Sequence, residues 1–184
     1  MARYVAKPFI AGTPQAEVIG QTMISFADNL EASLIQPILA KHGVAEINPD
    51  AWYPHQLWMD ILKEMNDTLG GEATSAFVAF GRQVVNNAVM PDFIKTIPDA
   101  LNALNAIHHA NLRNIPEEEG YSIEVRGEKD YIVYHNTPNP DDAIYGFIWG
   151  LAARFKGQGE TFTVQKIDNP APEKARSAYE VKWG

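Results

Sequence analysis

Apolar residues recur at three- and four-residue spacings through the N-terminal part of the chain, and this period predicts helices. The first predicted helix begins at about Gln15 and is kinked or ended by Pro37. A second follows Pro54, which suits the first turn of a helix, and stops at Gly70-Gly71. A third then continues to the break at Met90-Pro91.

The fourth predicted helix opens at Pro98-Asp99 and carries His108 on its apolar face. The next residue, His109, falls on the polar face. An imidazole that points into an apolar interior is either a hydrogen-bonded core residue or a ligand to something held there. The other members of the apolar face are Ile97, Leu101, Leu104 and Leu112.

After Pro116 the period changes from helical to two, which predicts strands. Helices grouped first and strands grouped later indicate an α+β fold, with N-terminal helices packed on a C-terminal antiparallel sheet. The sheet is predicted as two hairpins separated by a helix, with strands at about 121–125, 131–135, 160–167 and 177–183 and the helix at 142–155.

The length of 184 residues suits a single domain. We expect a flexible N-terminal arm over 1–14 and one ligand-binding domain over 15–184. The net charge of −8, with no basic cluster, argues against nucleic acid and anionic membrane as partners. Cysteine is absent, which excludes disulfides and thiolate metal sites. No signal peptide or bilayer-spanning stretch is present, and we therefore expect a cytoplasmic protein.

Catalytic motifs are absent from the sequence. It contains no Gly-x-Ser-x-Gly, no phosphate-binding loop and no His-Glu-x-x-His. The remaining histidines, His42, His55 and His135, do not have the spacing of a zinc site. The sequence therefore favours a non-catalytic protein, and no catalytic residue is assigned.

The segment Leu104-Asn-Ala-Ile-His108, with Pro116 eight positions further on, resembles the proximal-helix motif of haem–nitric oxide binding (H-NOX) domains. In that family an Asn-Leu-Asp-x-Leu-His segment carries the axial haem ligand. The helix that contains Gly146 and Gly150 is similar to the Gly-Leu-x-x-Gly-Leu helix of the family. The resemblance covers about residues 50–184 and implies an H-NOX-like fold with His108 at the axial position.

The propionate-binding motif of H-NOX domains, Tyr-x-Ser-x-Arg, is altered here. Tyr134 matches, but Asn136 replaces the serine and Pro138 replaces the arginine, so the bidentate grip on a carboxylate is lost. The stretch 136–155 is instead similar to 4-vinyl reductase domains and related haem-free sensor domains of the same superfamily. This closer resemblance implies a non-catalytic pocket for an apolar small molecule or a tetrapyrrole.

Three functions follow from these resemblances. The first is a small-molecule-binding sensor or regulatory module, with an apolar pocket between helices and sheet for a tetrapyrrole or another hydrophobic ligand. The second is a haem-based sensor of NO or O2, in which His108 is the axial ligand to iron. The third is an adaptor or structural subunit that joins a protein signalling or assembly partner, or a second copy of itself as a homodimer. An enzymatic role in tetrapyrrole reduction finds no acid–base pair or redox-cofactor motif.

The candidate binding residues are those that the helix pattern and the resemblance place around such a pocket. His108 is also the candidate iron ligand if haem is bound. The candidates are Phe80, Leu104, His108, Tyr134, Asn136 and Trp149.

Overall fold

Helices precede the main sheet along the chain, which confirms the predicted α+β fold. The computed structural model describes residues 3–28, 30–88 and 90–184. In these ranges the helices are α1 (Gly20–Ala27), α2 (Ala32–Lys41), α3 (His55–Leu69), α4 (Ala73–Asn87), α5 (Ile97–Asn111) and α6 (Asp141–Phe155). The strands are β1 (Glu17–Ile19), β2 (Trp52–Pro54), β3 (Leu112–Arg113), β4 (Gly120–Gly127), β5 (Asp130–Asn136), β6 (Phe162–Ile167) and β7 (Ser177–Trp183).

The main sheet has the order β4-β5-β7-β6, and all its neighbouring strands are antiparallel. The two predicted hairpins are therefore joined through the β5–β7 pairing, in which Val133 faces Tyr179. Helices α5 and α6 pack against this sheet. Among the described residues, no helix combines the length and the apolar character needed to span a membrane.

A second, smaller sheet of order β2-β1-β3 was not predicted from the sequence. In it Val18 pairs with Tyr53 on one side and with Leu112 on the other. Because β1 leads into α1, β2 into α3, and β3 follows α5, this sheet holds the ends of three helices together. Two- and three-residue strands give too short an alternation to be recognised in a sequence.

The first predicted helix is wrong in its extent. The stretch from Gln15 forms β1, α1 and α2 instead of one helix, and Pro37 lies inside α2 rather than at its end. The chain enters α1 at Gly20, whose N–H donates to the carbonyl of Ala51. A Cβ at Gly20 would lie 2.0 Å from the carbonyl oxygen of Asn48, so this close approach needs glycine.

Residues 3–14 belong to the stretch 1–14 that we expect to be a flexible arm, and in the structure they contact the rest of the domain. Asn136 accepts a hydrogen bond from the Ala6 N–H and donates one to the carbonyl of Tyr4. The Phe9 N–H donates to the carbonyl of Pro138. These hydrogen bonds give partners to three backbone groups of the segment and hold it against the domain. The composition of the segment gives no indication of them. Residues 1–2 lie outside the described residues.

The interior consists of two hydrophobic clusters. One lies among α1, α2, α3 and the start of α4, and the other lies among α5, α6 and the main sheet. Helices α4 and α6 cross at glycines: a Cβ at Gly81 would lie 2.1 Å from the carbonyl oxygen of Ala143, and one at Gly146 would lie 2.2 Å from that of Val78. Gly146 and Gly150 lie one turn apart in the sequence, a spacing that predicts close approach of another backbone, and the crossing at Gly146 confirms it.

Candidate ligand-binding site

A cavity of about 720 Å³ lies where the two hydrophobic clusters meet. Cavities that bind small molecules in proteins have volumes of about 300–1,000 Å³. Most of the wall is apolar and aromatic, and its members include Val18, Phe26, Trp58, Leu62, Phe77, Phe80, Leu104, Ile144 and Phe147. The polar members are Gln21, Thr22, Ser25, His55, His108, Asn111, Tyr121 and Asn139.

His108 lies on the buried face of α5, as the helix pattern predicts. The helix begins with a capping box, in which the Thr96 hydroxyl accepts from the Asp99 N–H and the Asp99 carboxylate accepts from the Thr96 N–H. This capping box fixes the residue at which α5 begins. The side chain of His108 is only 6% exposed and forms part of the cavity wall.

A second buried group, Glu119, contacts His108 from outside the cavity. Glu119 is fully buried, and its Oε1 lies 3.4 Å from Nε2 of His108. Neither of these two atoms has a hydrogen-bond partner among the described residues. The imidazole of His108 thus touches both the cavity and a buried carboxylate.

The N-terminal segment covers this carboxylate. The Tyr4 hydroxyl donates to Oε2 of Glu119 at 3.3 Å. Burial, together with the charge of Glu119, raises the pKa of Tyr4, which keeps this hydroxyl protonated as a donor. Gly12 lies against the same oxygen, since a Cβ there would be 2.2 Å from it.

A second imidazole, that of His55, also faces the cavity. His55 opens α3 and is 1% exposed, and its Nδ1 has no hydrogen-bond partner among the described residues. Burial lowers the pKa of His55 to about 4, although the charge of Glu119 acts in the opposite direction. The ring is therefore neutral at pH 7. Within the described residues, no group of three or more His, Asp or Glu is placed to hold a metal ion.

Tyr121 connects the cavity to a buried polar network. Its ring lies 5.8 Å from that of His108 and 5.7 Å from that of His135, centre to centre. Nε2 of His135 lies 2.6 Å from the Thr137 hydroxyl, and burial lowers the pKa of His135 to about 4. Its Nδ1 is 3.6 Å from Oδ1 of Asp141, too far for a hydrogen bond.

Asp141 forms ion pairs with two cations, Arg176 and Lys166. Arg176 donates to its Oδ1 at 2.5 Å, and Lys166 to its Oδ2 at 2.5 Å. The Ser177 hydroxyl also donates to Oδ1. Burial alone would raise the pKa of Asp141, but the nearby imidazole of His135, the hydrogen bond from Lys166 and the charge of Arg176 hold it well below its usual range.

The structure brings three of the sequence-predicted residues to the cavity wall: Phe80, Leu104 and His108. Tyr134 does not line it, because its hydroxyl donates to Glu124 at 2.6 Å on the more exposed side of β5. Asn136 does not line the cavity either, because its side-chain amide is hydrogen-bonded to the backbone of the N-terminal segment. Trp149 packs under the guanidinium of Arg82, at 3.9 Å from the ring centre.

Sequence reasoning missed three site residues, His55, Glu119 and Tyr121. His55 shares the inward spacing of Trp58 and Leu62, the same signal that singled out His108, and could have been found. Tyr121 begins the alternation of β4 and gives a weaker signal. Glu119 ends the acidic run 117–119, where the pattern gives no indication that this residue alone is buried.

No protein-family model matches the sequence, and no curated protein matches it. Solved H-NOX structures do match the fold. An H-NOX protein from S. oneidensis in the Fe(II)NO ligation state has a TM-score of 0.62 at 13% identity, over 90% of this chain and 99% of that chain. A single-site mutant of the T. tengcongensis H-NOX has a TM-score of 0.60 at 14% identity, over 89% and 94% of the two chains.

A third match comes from work on haem distortion in the H-NOX family, with a TM-score of 0.62 at 13% identity over 89% of this chain and 91% of that chain. The predicted closeness to 4-vinyl-reductase-like members stays a prediction. The likeness extends over about nine tenths of the chain, more than the stretch 50–184 that carries the sequence resemblance. The chain therefore has an H-NOX-like fold.

Proposed function

We propose that this protein is a sensor domain that binds haem in the cavity, with His108 as the axial ligand, and that it responds to a diatomic gas. The observation that carries the proposal is the buried imidazole of His108 on the wall of a 720 Å³ cavity, in an H-NOX-like fold. An imidazole on the wall of an apolar cavity is in a position to bind a metal-containing group held there. This choice favours the gas-sensor alternative over a haem-free module.

The residues present fit the ring and the iron of a haem. The volume and the aromatic wall suit a large flat molecule, and a neutral imidazole is a common protein ligand to haem iron. The two carboxylates of haem fit less well, because no Lys or Arg occurs among the described residues that line the cavity. The proposal therefore rests on the axial and apolar contacts.

The chain would contribute orientation and exclusion of water. Phe26 packs against Phe80 at 4.0 Å and against Trp58 at 4.9 Å between ring centres, and these rings form one rigid apolar wall. His55 adds a neutral imidazole to the same cavity. A bound haem, held by His108, would supply an iron that can bind a diatomic gas. The S. oneidensis match in the Fe(II)NO state supports NO as the first gas to test.

The direct test is a titration of the purified protein with haemin, followed by the Soret absorption band. We expect saturable binding at one site per chain. His108→Ala should shift the Soret maximum and weaken binding at least tenfold, because it removes the axial ligand. The matched control is His109→Ala, one position along the same helix but outside the cavity wall. Absence of binding by the wild-type protein, or equal effects of the two substitutions, would overturn the proposal.

A second candidate is a haem-free module that binds another apolar small molecule. The absence of charged side chains from the described part of the cavity wall favours it. Native mass spectrometry of the protein as purified would then show a bound organic molecule without iron. A protein that carries haem in the same measurement contradicts this second candidate.

A further inference from the structure

We propose that the cavity selects an uncharged tetrapyrrole, such as an esterified one, over a tetrapyrrole that carries two free carboxylates. The inference rests on the proposed function of the cavity and names the chemical class of its ligand. The esterified tetrapyrrole and the dicarboxylate have the same planar ring, which suits the wall. The selection therefore depends on whether the side groups of the ring carry charge. Three separate observations support it.

The first observation is the neutrality of the polar wall. The polar groups of the wall include the amide and hydroxyl side chains of Gln21, Thr22, Asn111, Tyr121 and Asn139, and no Lys, Arg, Asp or Glu lies among the described lining residues. These groups can satisfy carbonyl and ester oxygens. A carboxylate that loses water without gaining a cation is bound much less favourably.

The second observation is that the nearest cations are already engaged. Arg176 donates to the carbonyl of Asn139, a wall residue, but its guanidinium is also paired with Asp141. Arg154 donates to the carbonyls of Val85 and Ala88. The protein's own carboxylate, Asp141, thus holds the guanidinium that contacts the wall at Asn139, and a ligand carboxylate would have to displace it.

Arg82 follows the wall residue Gly81 but does not line the cavity. Its guanidinium lies over the ring of Trp149, 3.9 Å from the ring centre, and its Nε has no hydrogen-bond partner among the described residues. At the position where the arginine of the resembled motif would stand, the chain has Pro138, whose ring cannot bind an anion. Neither position therefore places a cation on the described wall of the cavity.

The third observation is the buried anion on the other side of His108. Glu119 is fully buried at 3.4 Å from the imidazole, and the chain carries a net charge of −8. In a low-dielectric interior a fixed carboxylate acts over several ångströms. Its field opposes a second anion in the cavity and leaves a neutral ligand unaffected.

The test compares metal-free protoporphyrin IX with its dimethyl ester, both titrated into the wild-type protein. Binding is read from quenching of tryptophan fluorescence, since Trp58 lines the cavity, and this readout does not depend on iron. We expect the dimethyl ester to bind at least tenfold more tightly. Equal affinities, or tighter binding of the diacid, would overturn the inference.

Asp141→Asn provides a gain of function, because it releases Arg176 for a ligand carboxylate. We expect the affinity for the diacid to rise at least fivefold while that for the ester stays constant. The matched control is Asp142→Asn, the next residue of α6, whose carboxylate accepts from the Thr74 hydroxyl instead. An unchanged diacid affinity in a folded Asp141→Asn protein would count against the role assigned to Arg176.

Glu119→Gln is the second variant, and it keeps the test informative if Asp141→Asn does not fold. Because Glu119→Gln removes the buried negative charge, the ratio of the affinity for the ester to the affinity for the diacid should fall. Glu118→Gln is the exposed control. Failure of the inference is distinct from failure of the proposed function. Tight binding of haemin and of the diacid contradicts only the inference, whereas binding of no porphyrin contradicts both.

Discussion

At the scale of single residues, the contact between His108 and Glu119 places a buried carboxylate behind the wall of the cavity. A buried carboxylate 3.4 Å from a buried imidazole is costly to keep unless its surroundings compensate for the lost hydration. Tyr4 supplies one donor, and Gly12 allows the segment to close over the carboxylate without a clash. Glu119 therefore links the wall of the cavity to the N-terminal segment.

We expect Glu119→Ala to lower the free energy of unfolding by about 1–3 kcal/mol, because it leaves the Tyr4 hydroxyl without its acceptor and opens a void behind His108. Urea denaturation measures the change. Glu118→Ala is the control, since that side chain is exposed and its neighbours contact only its carbonyl. Equal stability of the two variants would show that the buried carboxylate contributes nothing to folding.

His135 gives a pH-dependent prediction. Burial lowers its pKa in the folded protein from 6.5 to about 4, so between these values the unfolded chain binds the extra proton. The contribution of neutral His135 to the unfolding free energy is therefore fully present above about pH 6.5. It is lost as the pH falls towards 4. His135→Gln should reduce the slope of unfolding free energy against pH in this window by up to about 1.4 kcal/mol per pH unit. An unchanged slope in denaturation curves from pH 4 to 7 would contradict the assignment.

At the scale of elements, the crossing of α4 and α6 positions one side of the cavity. Gly81 and Gly146 bring the two helix backbones together, and Phe80, Ala143 and Phe147 beside them line the cavity. The glycine spacing of α6 indicated this close approach from the sequence. Its partner helix could not be identified in that way, because the glycine of α4 stands alone in its pattern.

Gly146→Ala should destabilise the protein by about 3 kcal/mol, since the new methyl group would meet the carbonyl of Val78 at 2.2 Å. Gly71→Ala is the matched control, because no atom lies within 4 Å of its added Cβ and its backbone needs no glycine. Thermal unfolding compares them. A loss in Gly146→Ala no larger than in the control would mean that the helices do not cross as described.

At the scale of the whole molecule, periodicity predicted the main sheet and α3 to α6 but not how they join. The period of two identified β4 to β7, and the helical period identified the inward face of α5 with His108. The small sheet could not be predicted, because its strands are short and its register depends on contacts between distant segments. For the same reason Glu119 and the docking of residues 3–14 depend on tertiary packing that no local pattern records.

The absorption spectrum of the protein, purified from cells supplied with a haem precursor, shows whether the cavity binds haem through His108. We expect a Soret band that shifts when NO is added to the reduced protein and that is altered in His108→Ala but not in His109→Ala. A colourless wild-type protein that also leaves the spectrum of added haemin unchanged would contradict haem binding in the cavity.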